Sequence, residues 1–126
     1  VRAWRVHEPG EPTDVLVLED VPTPTPGPGQ VLIEVAASAL NFADVLLCRG
    51  QYQVRPPLPF TPGSEVCGRV VALGAGAPPD LAGRRVIGVP AFGPGGFTEC
   101  TVADAAMVHP IPDTLDDHRA AALHIT

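Results

Sequence analysis

Prolines and glycines fall between short apolar runs along this chain, and that punctuation constrains its fold more than any other feature. Of the 126 residues, 16 are proline and 13 are glycine, but they form no repeat. Proline fixes φ and lacks a backbone donor, so it is excluded from helix interiors and central strands. Residues 22–29 hold four prolines and two glycines and read as a stiff surface loop. The runs left between such stops, at 1–7, 15–21, 31–37, 65–73, 85–89, 97–102 and 107–111, are short, apolar and bounded by turn residues, and they read as strands. Two segments differ. In 41–49, Asn41 suits a helix N-cap. Phe42, Val45 and Leu46 follow at i, i+3, i+4 as one apolar face, and Gly50 stops the helix. In 115–123, Thr114 is placed to cap a second helix, with Asp116 and Asp117 near its positive end. Strands first, one short helix, more strands and a closing helix is not the alternation of a doubly wound sheet. The expectation is one mainly β domain, a small barrel or sandwich of short strands.

Charge and cysteine usage exclude several functions. The net charge is -6, and every basic residue is an arginine, scattered apart from the pair Arg84 and Arg85. Without a basic stripe to neutralise phosphates, nucleic acid is a poor partner. No apolar run reaches membrane-spanning length, and Val1-Arg2-Ala3-Trp4 does not read as a secretion signal. Cys48, Cys67 and Cys100 are odd in number and contain no Cys-x-x-Cys, which argues against a disulfide framework or a zinc knuckle and for a reducing, cytoplasmic setting. His7, His109, His118 and His124 show no ligand spacing with them. Asp117 and His118 read as solvent-facing.

One ordered set of short motifs is more specific than any of its parts: Asn41-Phe42-Ala43-Asp44, Gly50-Gln51-Tyr52, Pro59-Phe60-Thr61-Pro62-Gly63-Ser64-Glu65 with Gly68, Val71-Ala72-Leu73-Gly74, Gly83-Arg84-Arg85-Val86 and Gly95-Gly96-Phe97-Thr98-Glu99. Glycine inside the apolar run at Gly68 signals another backbone passing close by. In order and spacing the set resembles the medium-chain dehydrogenase/reductase superfamily, and within it the quinone oxidoreductase branch, over nearly the whole chain. Two positions depart from the pattern: Arg84 replaces the usual acid after Gly83, and Leu46 stands where some quinone reductases have tyrosine.

The resemblance implies a GroES-like fold for residues 1–126, a twisted, partly open β-barrel with short helices. It implies that a Rossmann domain absent from this chain binds most of the nucleotide. Gly74-Ala75-Gly76 followed by Ala77-Pro78-Pro79 is no dinucleotide fingerprint, since the third glycine is missing and prolines forbid the helix. The implied activity is hydride transfer from NADPH to a quinone or enone in a homo-oligomeric parent enzyme, with the isolated chain inactive. The implied site residues are Asn41 and Thr126 at the cofactor and Tyr52 at the substrate; Asn41 as a plain helix cap and Tyr52 as a loop anchor are the competing roles. Zinc is not expected: zinc-dependent members carry cysteine and histidine where this chain has Asn41 and Ser64, and an amide and a hydroxyl are poor zinc donors. The alternatives are a stand-alone, non-catalytic GroES-like binding module, or an enoyl-reductase unit of a polyketide synthase.

Overall fold

A computed structural model describes residues 1–123; Thr126 lies outside them. The chain forms two antiparallel sheets. A ribbon pairs β1 (Arg2–Val6) with β2 (Leu16–Asp20). The main sheet has five strands in the order β6-β3-β4-β5-β7, namely β3 (Gln30–Ala39), β4 (Glu65–Leu73), β5 (Arg85–Gly88), β6 (Cys100–Asp104) and β7 (Val108–Pro110). No ladder joins β6 to β7 among the described residues, so the sheet stays open as expected. β1 joins the main body through Trp4 N–H to Phe97 O at 2.9 Å and Val6 N–H to Phe60 O at 2.8 Å. Among the described residues no helix is long and apolar enough to cross a membrane.

Alternation along β4 explains the layering. Val66 and Val70 face the main core with Val31, Ile33, Val86, Ala103 and Val108. Cys67 faces the other side, where Ala120 and Ala121 of a short terminal helix, α3 (Asp117–Ala121), cover it. A second core under the ribbon joins Val6, Val15, Leu47, Cys48 and Phe60. The β3–β4 ladder is irregular twice, with Val71 of β4 the extra residue opposite Leu32 and Ile33 and Ala36 of β3 the extra residue between Val35 and Ala37, so each strand bends once. Gly68 pairs with Val35 at the second bulge. A Cβ there would strike Glu34 O and lie 2.7 Å from Ile33 Cγ2, so the close backbone approach read from the sequence is real.

Several boundaries and faces differ from the sequence reading. Val15 ends a helical turn, α1 (Pro12–Val15), that Pro12 can open because N1 needs no donor. The strand read at 97–102 begins later, at Cys100, since Phe97 N–H bonds Pro62 O at 3.0 Å and Thr98 N–H bonds Gly96 O at 2.9 Å in a turn. Asp116, not Thr114, caps α3: its carboxylate accepts Arg119 N–H at 2.8 Å, while Leu115 N–H closes a turn onto Pro112 O. Asp117 keeps 44% of its side chain exposed and also accepts from Arg85 Nη2 at 2.7 Å and from Cys67 Sγ at 3.4 Å, tying α3 to the sheet.

Candidate active site

The helix expected at 41–49 is α2 (Phe42–Arg49), with Asn41 as N-cap and Gly50 as the left-handed C-cap at φ 70°. Its inward face is not the expected one. Phe42 is 70% exposed, whereas Asp44, Leu47 and Cys48 are buried. The i, i+3, i+4 spacing is present but starts on an aspartate, because a carboxylate rather than a phenyl ring fixes how α2 is rolled.

Asp44 is 3% exposed. Its Oδ2 accepts Asn41 N–H at 2.9 Å, the return half of a capping box, and its Oδ1 accepts Gly63 N–H at 3.0 Å. One side chain thus serves two orphan donors: one at the start of α2, one in the Pro62-Gly63 turn that leads into β4. Burial raises the Asp44 pKa; the two N–H bonds pull it back down, and Glu65 nearby pushes it up again. The turn itself needs glycine. Gly63 has φ 109°, and a Cβ would lie 2.8 Å from Gly96 Cα and Gly96 N, so the Gly95-Gly96 segment lies backbone to backbone against it.

Asn41 is half-buried and its Nδ2 donates to Glu65 Oε2 at 3.2 Å. Glu65, the first residue of β4, is 1% exposed. Asn41, Asp44, Gly63 and Glu65 therefore form one polar junction between the start of α2 and the start of β4, at the edge of the β3–β4 pair. Ser64 does not share this network; its Oγ is buried without a hydrogen-bond partner among the described residues. It borders a cavity of about 40 Å³ lined by Leu47, Phe60 and Pro90, with Gly95 closing it. Tyr52 is partly buried and packs against the Val6, Leu47 and Phe60 cluster. A groove of about 870 Å³ runs between the ribbon and the end of β3, lined by Trp4, Leu16, Leu18, Leu40 and Phe97; neither Asn41 nor Tyr52 is part of its wall.

The sequence reading named Asn41 but not the two carboxylates that hold it. An acid three residues after a cap residue is the capping-box signal, and Asp44 carries it. Nothing in the sequence signalled the Asn41–Glu65 contact, which spans 24 positions. The thiols are not nucleophiles in waiting: burial, then the Asp117 carboxylate, pushes Cys67 up to about 11, and burial also raises Cys48 and Cys100. A low-pKa thiolate is what reactivity requires. Among the described residues no three His, Cys, Asp or Glu side chains gather in a metal-binding group.

The sequence and fold have known relatives. Residues 27–113 match the model of the alcohol dehydrogenase GroES-like domain. The chain is 41% identical over 126 residues to a quinone oxidoreductase-like protein 2 homolog of Nematostella vectensis, covering 99% of this chain and 33% of that protein. It is 36% identical over 125 residues to the Homo sapiens quinone oxidoreductase, covering 99% of this chain and 38% of the relative. A mycobacterial quinone oxidoreductase superposes with a TM-score of 0.87 at 36% identity, over 96% of this chain and 36% of the other. A mycobacterial protein solved as a complex with NADPH superposes with a TM-score of 0.86 at 37% identity, over 98% and 38%. The chain spans about a third of the length of each.

Proposed function

Since the chain belongs to the alcohol dehydrogenase GroES-like domain family, within the quinone oxidoreductase branch of the medium-chain dehydrogenases and reductases, we propose that it is the substrate-covering domain of an NADPH-dependent quinone or enone oxidoreductase. In this reading a nucleotide-binding part corresponds to the length of the relatives that this chain does not match. The observation that carries the reading is the junction at Asn41. A neutral amide, half-exposed at a helix N-terminus and held at 3.2 Å by a buried carboxylate, is an oriented hydrogen-bonding group without a charge of its own.

NADPH, when bound, supplies the hydride. The work of this chain is to bind and orient. Asn41 hydrogen-bonds the nicotinamide end of the cofactor; the α2 N-terminus adds the partial positive charge of its free N–H groups. A quinone or enone delocalises the charge it receives, so hydrogen-bond donors and positioning suffice without a Lewis acid. The donor set supports a zinc-free site. Asn41 is committed to Glu65 and Asp44, and the Ser64 hydroxyl is buried. Tyr52 and Thr126 complete the proposed cleft, Tyr52 at the substrate and Thr126 at the cofactor. Free thiols fit a cytoplasmic enzyme, and the family resemblance favours a homo-oligomer.

The test is to titrate the isolated chain with NADPH by calorimetry, with a quinone turnover assay alongside. A few neutral contacts of about 0.5–1.5 kcal/mol each cannot offset an association cost of roughly 4 kcal/mol or more. Neither micromolar binding nor turnover is expected from this chain alone. Either one would overturn the division of labour proposed.

A further inference from the structure

Glu65 is a buried titratable side chain to which the proposed reaction assigns no task, and its contact with Asn41 gives it one. A primary amide has two faces of opposite sense, a carbonyl that accepts and an NH2 that donates, and rotation by half a turn exchanges them. The Glu65 Oε2 at 3.2 Å accepts from the Nδ2 of Asn41, while the backbone N–H of Asp44 bonds the Asn41 main-chain O at 3.0 Å. Exchanging the two ends of the amide would set Oδ1 against a carboxylate oxygen. That contact would be repulsive, so one sense of the amide is fixed. Asp44 fixes the distance as well, since it ties Asn41 to Gly63, two residues before Glu65.

We propose that Glu65 is the positioning residue for Asn41: it locks the sense of the amide, so that the second Nδ2 hydrogen and Oδ1 are presented ready-oriented to the nicotinamide–ribose end of the cofactor. Such a pair of groups matches a ligand hydroxyl or carboxamide, which both donates and accepts. Glu65 does not touch the ligand; it acts through Asn41 and spares the complex the cost of ordering that side chain on binding. The inference rests on the role proposed above for Asn41.

The experiment uses the full 126-residue chain, labelled with nitrogen-15, and reduced nicotinamide mononucleotide as the probe. Without ligand, the side-chain NH2 of Asn41 should show a higher nitrogen-15 order parameter, the mark of a fixed Cβ–Cγ torsion, than those of exposed Gln51 and Gln53. An Asn41 amide rotating as freely as those two overturns the locking, whatever happens to any variant. With the probe, shifts should appear at Asn41 in a weak, millimolar titration. Glu65→Leu should weaken that binding about five- to tenfold, one hydrogen bond's worth. Glu65→Gln, whose Oε1 can still accept, should restore it to within about twofold. Asn41→Ala should weaken it as much as Glu65→Leu, and the double variant no further. A locked amide with no probe-induced shift at Asn41 would refute the role of Asn41 at the cofactor and with it the purpose assigned to Glu65. Binding that needs Asn41 but is unchanged in a folded Glu65→Leu would refute the positioning alone.

Discussion

Asp44→Ala tests the junction at its base. The substitution removes the acceptor of Gly63 N–H, which is buried, and of Asn41 N–H, which is partly buried. Leaving a buried donor unpaired costs roughly 1–3 kcal/mol; the partly buried one can reach water and sits at the lower end. Against this, the variant no longer buries a carboxyl whose pKa burial has raised. The net loss should be about 1–3 kcal/mol, a fall in Tm of about 3–10 °C for a domain of this size. The pH dependence follows from the direction of the shift. A carboxyl whose folded pKa lies above its unfolded value binds more protons when folded. Its contribution to stability is therefore greatest below the usual aspartate value of 3.8 and declines as pH rises through the folded pKa. The gap between the parent and Asp44→Ala should be larger near pH 4 than at pH 7. Urea melts at several pH values, read by far-UV circular dichroism, give both quantities. A loss below about 0.5 kcal/mol, or a gap that widens with rising pH, would refute the view of Asp44 as the pin between α2 and the Gly63 turn.

Gly68→Ala should cost about 3 kcal/mol, because the new methyl meets the Glu34 backbone and the Ile33 side chain on β3; equilibrium unfolding measures it, and a near-neutral result would mean that the bulge yields. Asp117→Asn should loosen α3 and lower the melting temperature at neutral pH. Since Arg85 holds the Asp117 carboxyl below its usual range, the stability it adds is complete above the ordinary aspartate value and disappears as pH falls through the lowered one, so the difference should vanish in strong acid. Metal analysis of protein purified without chelator should find well under one zinc per chain; a stoichiometric zinc would overturn the zinc-free reading.

What the sequence made legible was what local chemistry determines. Proline and glycine marked nearly every strand end, and Gly68 announced a close crossing because only the absence of Cβ allows one. Asn41 and Gly50 bounded α2 correctly because caps are local. Apolar periodicity from Phe42 gives the wrong roll for α2, since the buried face begins at Asp44, whose fitness for burial depends on a donor at Gly63 that is 19 residues away. The bonds of Asp117 were illegible for the same reason. Its partners, Arg85 and Cys67, lie on two neighbouring strands, and no spacing along the chain brings them together.

The most direct test of the functional account is to place this chain in the corresponding first part of the mycobacterial protein solved with NADPH and follow NADPH oxidation with a quinone as acceptor. The hybrid should turn over, and Asn41→Ala within it should lower kcat/KM about tenfold or more per folded molecule. A hybrid that folds and binds NADPH but reduces no quinone, or one in which Asn41→Ala lowers stability alone, would contradict the claim that this domain forms the nicotinamide side of a quinone-reducing cleft.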